Sequence, residues 1–168
     1  MTNQEQLKEL KTEQVRSKQD IGIAASLCRN YMYNPPLGKE LEKWINSDWC
    51  TADFLTDLVK FGKVDEPIRM PVAFIMISQL APKDKVINSR TKIDLEVTCF
   101  ATAPFFDEEI AVEWADYRIR RALEYIARSE RILFPVDERN VPLQLALRDA
   151  GYKVLLPERD SERLIFTK

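Results

Sequence analysis

The sequence predicts a single α/β domain in which a mixed sheet is covered by helices. Three observations carry this reading. The chain has 168 residues, one domain's worth, and 45% of them are hydrophobic, which is enough to bury a real core. Strand-like and helix-like segments alternate through the second half of the chain, the pattern of a sheet packed by helices. Two segments, "PVAFIMI" (71–77) and "IDLEVTCF" (93–100), carry the β-branched and alternating residues of sheet strands.

In chain order, residues 1–14 form a polar N-terminal extension that is helix-permissive, with few apolar positions (Leu7, Leu10), and "TEQVRS" (12–17) suits a short strand. "KQDIGIAASLCRNYM" (18–32) is expected as a helix. Asp20 suits its N-cap, and Ile21, Ala24, Ala25, Leu27 and Cys28 fall at helical spacing. "NPPLG" (34–38) stops it, and "GKELEKWINSD" (38–48) reads as a second short helix with Leu41, Trp44 and Ile45 on one side. "DFLTDLVKFG" (53–62) fits either a strand or a helix. "MPVAFIMISQL" (70–80) reads as a buried strand, and "APKDKVINSR" (81–90) as a polar loop. In "TKIDLEVTCF" (91–100), Ile93, Leu95, Val97 and Cys99 are expected on one face, and Asp94, Glu96, Thr98 and Phe100 on the other. A long helix is expected after Pro104, with Ile110, Trp114, Ala122, Tyr125 and Ile126 near i+3/i+4 spacing. "RILFPV" (131–136) is a strand. "NVPLQLALRDAG" (140–151) is a helix, with Asn140 as N-cap and Gly151 as its stop. "YKVLLP" (152–157) and "ERLIFTK" (162–168) are two closing strands. The whole of 1–168 reads as one domain.

Composition excludes several classes of function. A formal net charge of −2, with 31% charged residues, gives no electrostatic reason to bind nucleic acid or an anionic membrane. The longest apolar run is too short to span a bilayer, and "MTNQEQLKELKTEQ" lacks the apolar segment of a secretory signal, so a cytoplasmic setting is expected. Cys28, Cys50 and Cys99 are odd in number and widely spaced, which suggests neither a disulfide framework nor a metal site; the default reading of Cys28 and Cys99 is as small core residues. With no histidine, Ser-His-Asp and Cys-His mechanisms are ruled out within the chain, and acid–base chemistry falls to carboxylates, tyrosines, cysteines or lysines. Gly22, Gly38, Gly62 and Gly151 are too scattered for a phosphate-cradling glycine loop.

"VDERNVPLQLALRDAGYKVL" (136–155) resembles the C-terminal part of the Gcn5-related N-acetyltransferase (GNAT) superfamily. There a strand ends in an Asn, a short helix follows, and the helix closes on an "AGF"-type motif. Asn140 stands at the Asn position, Leu143 at the small apolar position, and "ALRDAGY" (146–152) at the closing motif. "VRSKQDIGIAASLCRNY" (15–31) resembles the family's opening strand, loop and first helix, "PVAFIMI" its third strand and "IDLEVTCF" its fourth. The resemblance implies a mixed, mostly antiparallel central sheet flanked by helices. It also implies a pyrophosphate loop after the fourth strand, and here the chain departs from the family. Pro104 and Phe106 match the pattern, but Asp107 stands for its Arg, and Glu108, Ile110 and Val112 stand for its glycines. The backbone loses its freedom to approach a phosphate closely. Asp107, Glu108 and Glu109 add carboxylates, and a like-charge pair at about 4–5 Å repels by roughly 3–4 kcal/mol at an effective dielectric near 20. The plainer role for these three is to complement a helix dipole, at about 0.3–1 kcal/mol each. Leu147 occupies the position of the family's Tyr acid, and Tyr152 lies nearby.

What the resemblance implies is therefore a divergent acetyltransferase-like domain. Its donor loop, degenerate over 107–112, points to a binding or structural module that uses no cofactor and pairs with itself or a protein partner. Such scaffolds are reused in phage virion or accessory proteins, which would make the chain virion-associated rather than cytoplasmic. The alternative is an N-acyltransferase moving an acetyl group from acetyl-CoA to an amine. Glu96 or Asp94 would then be the base, Tyr152 a candidate acid, and Asn140 a cofactor-binding residue.

Overall fold

Ser17, not Asp20, caps the first helix. In the computed structural model the Ser17 hydroxyl accepts from the Asp20 backbone N–H at 3.0 Å, and Asp20 Oδ2 accepts from the Ser17 and Arg16 N–H groups at 3.2 and 3.1 Å. This is a reciprocal capping box, in which the residue expected as the cap serves three positions further on. The N–H donors of Arg16 and Ser17 hold the Asp20 carboxyl below its usual range.

The structure describes residues 11–59, 68–79, 86–88, 91–93, 95–103, 132–154 and 163–167. The N-terminal residues before Lys11, Asp94, the acidic stretch 107–109 and the long helix expected after Pro104 lie outside these residues. The described elements are β1 (Lys11–Gln14), α1 (Lys18–Tyr31), α2 (Gly38–Ile45), β2 (Cys50–Val59), β3 (Ile68–Gln79), β4 (Val86–Asn88), β5 (Thr91–Ile93), β6 (Leu95–Thr102), β7 (Ile132–Asp137), α3 (Val141–Asp149), β8 (Lys153–Val154) and β9 (Arg163–Thr167). Among them no helix is long and apolar enough to cross a membrane.

Seven strands form one sheet in the order β1-β2-β3-β6-β7-β9-β8, and β4 and β5 pair separately. All neighbours in the large sheet are antiparallel except β6 and β7, which run parallel. This is the mixed, mostly antiparallel sheet the sequence implies. The described part of the ambiguous stretch, 53–59, lies in β2, because its residues find ladder partners on β3. The expected loop at 81–90 carries β4 near its end, paired with β5.

β3 lies mid-sheet and is buried without interruption from Val72 to Ser78, which explains its unbroken apolar run. α1 and α2 cover one face, where Ala24, Cys28 and Leu41 pack on Phe54, Phe74 and Met76. α3 covers the other, where Leu143, Ala146 and Leu147 pack with Ile75, Phe134 and Phe166. Cys28 and Cys99 are small core residues of the α1 face, and their mutual contact and burial hold the Cys99 thiol protonated.

β6 does not alternate as its sequence suggests. Cys99 is paired with Met76 and Val97 with Ile77, so Thr98 is an extra residue with no partner of its own. This bulge changes the strand's phase. Val97 enters the core under α3, and Cys99 and Ala101 enter the core under α1.

The ends of α3 follow the sequence closely. Asn140 Oδ1 accepts from the Leu143 N–H at 3.3 Å. At the other end Gly151 takes φ 91°, the Tyr152 N–H donates to the Leu147 carbonyl at 2.9 Å, and the Gly151 N–H donates to Arg148 at 3.0 Å, a Schellman closure.

The packing of α3 sets a contrast in stability. Leu147 is fully buried and Leu145 is 58% exposed on the same helix. Leu147→Ala is expected to lower the unfolding free energy by about 2–5 kcal/mol in a urea titration, and Leu145→Ala to change it by no more than about 0.5 kcal/mol. Equal losses at the two sites would contradict the orientation of α3.

Candidate functional site

Among the described residues β6 and β7 pair at Leu95–Ile132 and Glu96–Leu133. Beyond those two pairs the strands part, and the Thr98 bulge follows at once. Pro135 sits in the separated part of β7, a place that tolerates a residue with no N–H for a ladder. A cleft of about 560 Å³ lies between the strands. Glu96, Thr98 and Phe100 of β6 form one wall, and Phe134 and Val136 of β7 form the other. Asn140 and Leu143 stand at one end, and the loop 32–36 with Glu40 and Trp44 of α2 borders the α1 side. A second cavity of about 420 Å³ shares Tyr33, Phe100 and Asn140 with the first and extends toward Asn30 and Thr102.

The cleft passes from one face of the sheet to the other. Glu96 lies directly opposite Ser78 on β3, and opposed residues of an antiparallel pair share a face. The Ser78 hydroxyl is hydrogen-bonded to Thr98 Oγ1 and lies 3.1 Å from Cys50 Sγ, and Cys50 packs on the α1-side core. Glu96 and Thr98 thus belong to the α1 side. Phe100, Phe134 and Leu143 belong to the α3 side.

The candidate residues separate accordingly. Glu96 is half-buried in the cleft wall, and Asn140 stands at the cleft's end. Asn140 commits its carbonyl oxygen to the α3 cap, so its amide N–H groups are the part chemically suited to a ligand. Asp94 lies outside the described residues. Tyr152 is buried in the α3-side core, with its ring edge-on to Phe134 at 6.5 Å. It stands one layer behind the cleft wall. Burial pushes its phenol pKa up, the direction that weakens a proton donor. The structure therefore brings Glu96 and Asn140 to one cleft and sets Tyr152 behind it.

One group of cleft residues has no counterpart in the sequence reading. Asp137 grips Arg139 through a forked pair, Nε to Oδ1 and Nη2 to Oδ2, both at 2.9 Å. The Arg139 guanidinium lies 4.5 Å from the centre of the Tyr33 ring, and Asn34 Nδ2 donates to Asp137 Oδ2 at 3.4 Å. Asn34 holds φ 52°, the left-handed region that Asn tolerates better than most residues. The Asp137 side chain is 8% exposed and that of Arg139 58%. Together these contacts clasp the loop after α1 to the β7–α3 turn. Asn34 and Asp137 are 103 residues apart, so no local motif announces the pairing.

No protein-family model and no curated protein sequence matches the chain. Solved structures do. A domain from Methanocaldococcus jannaschii superposes with a TM-score of 0.59 at 11% identity, over 94% of this chain and 96% of that one. Arabidopsis thaliana NAA60, solved in complex with a bisubstrate analogue, gives 0.61 at 9% identity, over 94% and 96% of the two chains. The GNAT domain of S. lividans PAT gives 0.58 at 12% identity, over 94% and 88%. The chain has the GNAT acetyltransferase fold. At these identities the likeness is one of shape. In this GNAT fold the parting of the parallel strands is the feature that creates the cleft.

Two measurements probe the surroundings of the cleft. Arg139→Ala is expected to release the loop, so that amide hydrogen exchange at Tyr33 and Asn34 accelerates about tenfold, with Arg139→Lys in between because it keeps the charge and loses the fork. Unchanged exchange would show that the clasp does not hold the loop. For Tyr152, the folded-state pKa lies above the ordinary value of 10.0, so its neutral form is favoured by folding. That contribution is present below pH 10 and is lost as pH rises through the folded-state value. Urea midpoints of the wild type should therefore fall more steeply above pH 10 than those of Tyr152→Phe.

Proposed function

We propose that the chain is an N-acyltransferase that uses the β6–β7 cleft to pass an acetyl group from acetyl-CoA to an amine. The observation that carries this is the parting of two parallel strands at a bulge, with a half-buried carboxylate, Glu96, at the apex. Strand edges that no longer pair with each other offer backbone N–H and C=O groups to an extended, amide-bearing ligand, and the arm of acetyl-CoA is of that kind. Phe100, Phe134 and Leu143 supply an apolar wall for its methylenes. Arabidopsis thaliana NAA60, of similar shape, has been solved with acetyl-CoA, which supports the choice of donor.

In this reading Glu96 accepts a proton from the incoming ammonium. The neutral nitrogen attacks the thioester carbonyl, an N–C bond forms, the C–S bond breaks, and the thiolate leaves and takes up the proton the nitrogen sheds. Asn140 offers its amide N–H groups to the donor arm. Tyr152 supports Phe134 from behind the wall rather than delivering a proton.

A second reading keeps the shape without the chemistry. Asp107 stands where the family's sequence pattern has an Arg, and Glu108, Ile110 and Val112 stand where it has glycines. That substitution favours a module that does not hold a pyrophosphate in the usual way and binds a protein partner or a second copy of itself. Acetyl-CoA binding separates the two readings. At about 100 times its Kd, a ligand stabilises the folded state by about 2.7 kcal/mol, read as a rise in Tm. No rise at millimolar acetyl-CoA would sink the transferase reading and leave the module, whose self-association light scattering measures. Where the rise occurs, Glu96→Gln should keep it and cut kcat by a factor of about 10²–10⁴.

A further inference from the structure

The face of the sheet under α1 is apolar at Phe54, Phe74 and Met76, yet its edge toward the cleft carries a row of polar side chains. Ser78 is buried in β3, and its hydroxyl touches Cys50 Sγ of β2 on one side and Thr98 Oγ1 of β6 on the other. Thr98 is the bulged residue and lines the cleft, and Glu96 lies across from Ser78 at the same place. Burying a hydroxyl without partners is costly, so a buried Ser in a central strand calls for a reason. Here it has partners, and the row of three side chains ends at the cleft.

Resting on the transferase reading above, we propose that Thr98 holds the nitrogen of the acceptor, a primary amine, and that Ser78 and Cys50 position its hydroxyl to do so. A hydroxyl has one proton and two lone pairs. When Thr98 donates to Ser78, and Ser78 to the Cys50 sulfur, the remaining lone pairs of Thr98 are acceptors for an N–H in the cleft. A primary ammonium gives one proton to Glu96 and keeps two N–H bonds. Directing one of these to Thr98 fixes the rotation of the nitrogen and so the direction of its lone pair. Glu96 and Thr98 share this face by the ordinary alternation of the strand, and the bulge leaves Thr98 with no register partner of its own on β3, beside Ser78. The same geometry asks for an acceptor that keeps an N–H after giving one proton to Glu96, as a primary amine does and a quaternary ammonium cannot.

Butylamine serves as the probe, with tetramethylammonium as a probe of equal charge and no N–H. Over a concentration series butylamine is expected to raise the Tm of the wild type. Thr98→Val should lose that rise and Thr98→Ser should keep it. Tetramethylammonium should act equally on the wild type and Thr98→Val. With acetyl-CoA as donor, Thr98→Val should raise the KM for butylamine about tenfold, the loss of one hydrogen bond, and leave the KM for acetyl-CoA unchanged. Ser78→Ala should act in the same direction and less strongly, and it tests the proposal should Thr98→Val fail to fold. A wild-type Tm that butylamine does not move, or an unaltered KM in both Thr98→Val and Ser78→Ala, overturns the assignment. The Tm rise with acetyl-CoA alone reads the donor site, so failure there is distinguishable from failure at Thr98.

Discussion

The structure depends on how briefly β6 and β7 hold each other. Among the described residues two register pairs join them, at Leu95–Ile132 and Glu96–Leu133, and then the strands diverge. Each strand keeps a ladder on its outer side, β6 with β3 and β7 with β9. The sheet therefore stays continuous through those two ladders while its middle opens. A bulge increases local twist and bends the strand that carries it. At Thr98 that bend comes immediately after the last shared pair. Had the pairing continued, the cleft would be a ladder, and Glu96 would face a packed sheet rather than a cavity.

An opening in the middle of a sheet must be held at a fixed width, and the two ends of this cleft are held by different forces. On the α3 side the Phe100 ring of β6 meets the Phe134 ring of β7 edge-on at 5.2 Å, and Tyr152 continues the row behind Phe134. Aromatic pairs in this geometry add about 0.5–1.5 kcal/mol beyond their burial, and the contact bridges the two diverging strands directly. At the mouth the bridge is polar, with Asp137 and Arg139 carrying Tyr33 and Asn34. An exposed ion pair alone contributes little. This one gains from its fork, from an Asp137 side chain that is only 8% exposed, and from the aromatic ring on the guanidinium's face.

The parts legible in the sequence are those decided by near neighbours. Asn140 and Gly151 bound α3 because capping is chemistry over three or four residues. Ser17 and Asp20 form one capping box, so the start of α1 could be misread by three residues while the helix itself was plain. β3 was legible because a strand covered on both faces needs no alternation. What stayed hidden depends on partners far along the chain. The bulge exists only in the register of β6 against β3. β2 is a strand because β3 pairs with it, in a stretch whose own residues fit either state. The clasp joins residues 34 and 137, and the Cys50–Ser78–Thr98 row joins three strands. Glu96 and Asn140 are candidates named through resemblance. Their meeting in one cleft depends on the strand order.

The charge of the cleft bears on what it can hold. Among the described lining residues, Glu40, Glu96 and Asp137 carry carboxylates, and the nearby guanidinium of Arg139 is gripped by Asp137. Such a lining attracts a cationic amine and repels an anion. In the transfer proposed above, a donor that carries phosphates would therefore present its neutral thioester end at Glu96 and keep its charged end away from this wall. The apolar side toward Phe134 and Leu143, with Asn140 beyond it, is the direction in which a neutral arm can leave. In that proposal the two opposite demands, a cation at one end and an anion at the other, are met by a cleft that runs through the sheet rather than into one face of it.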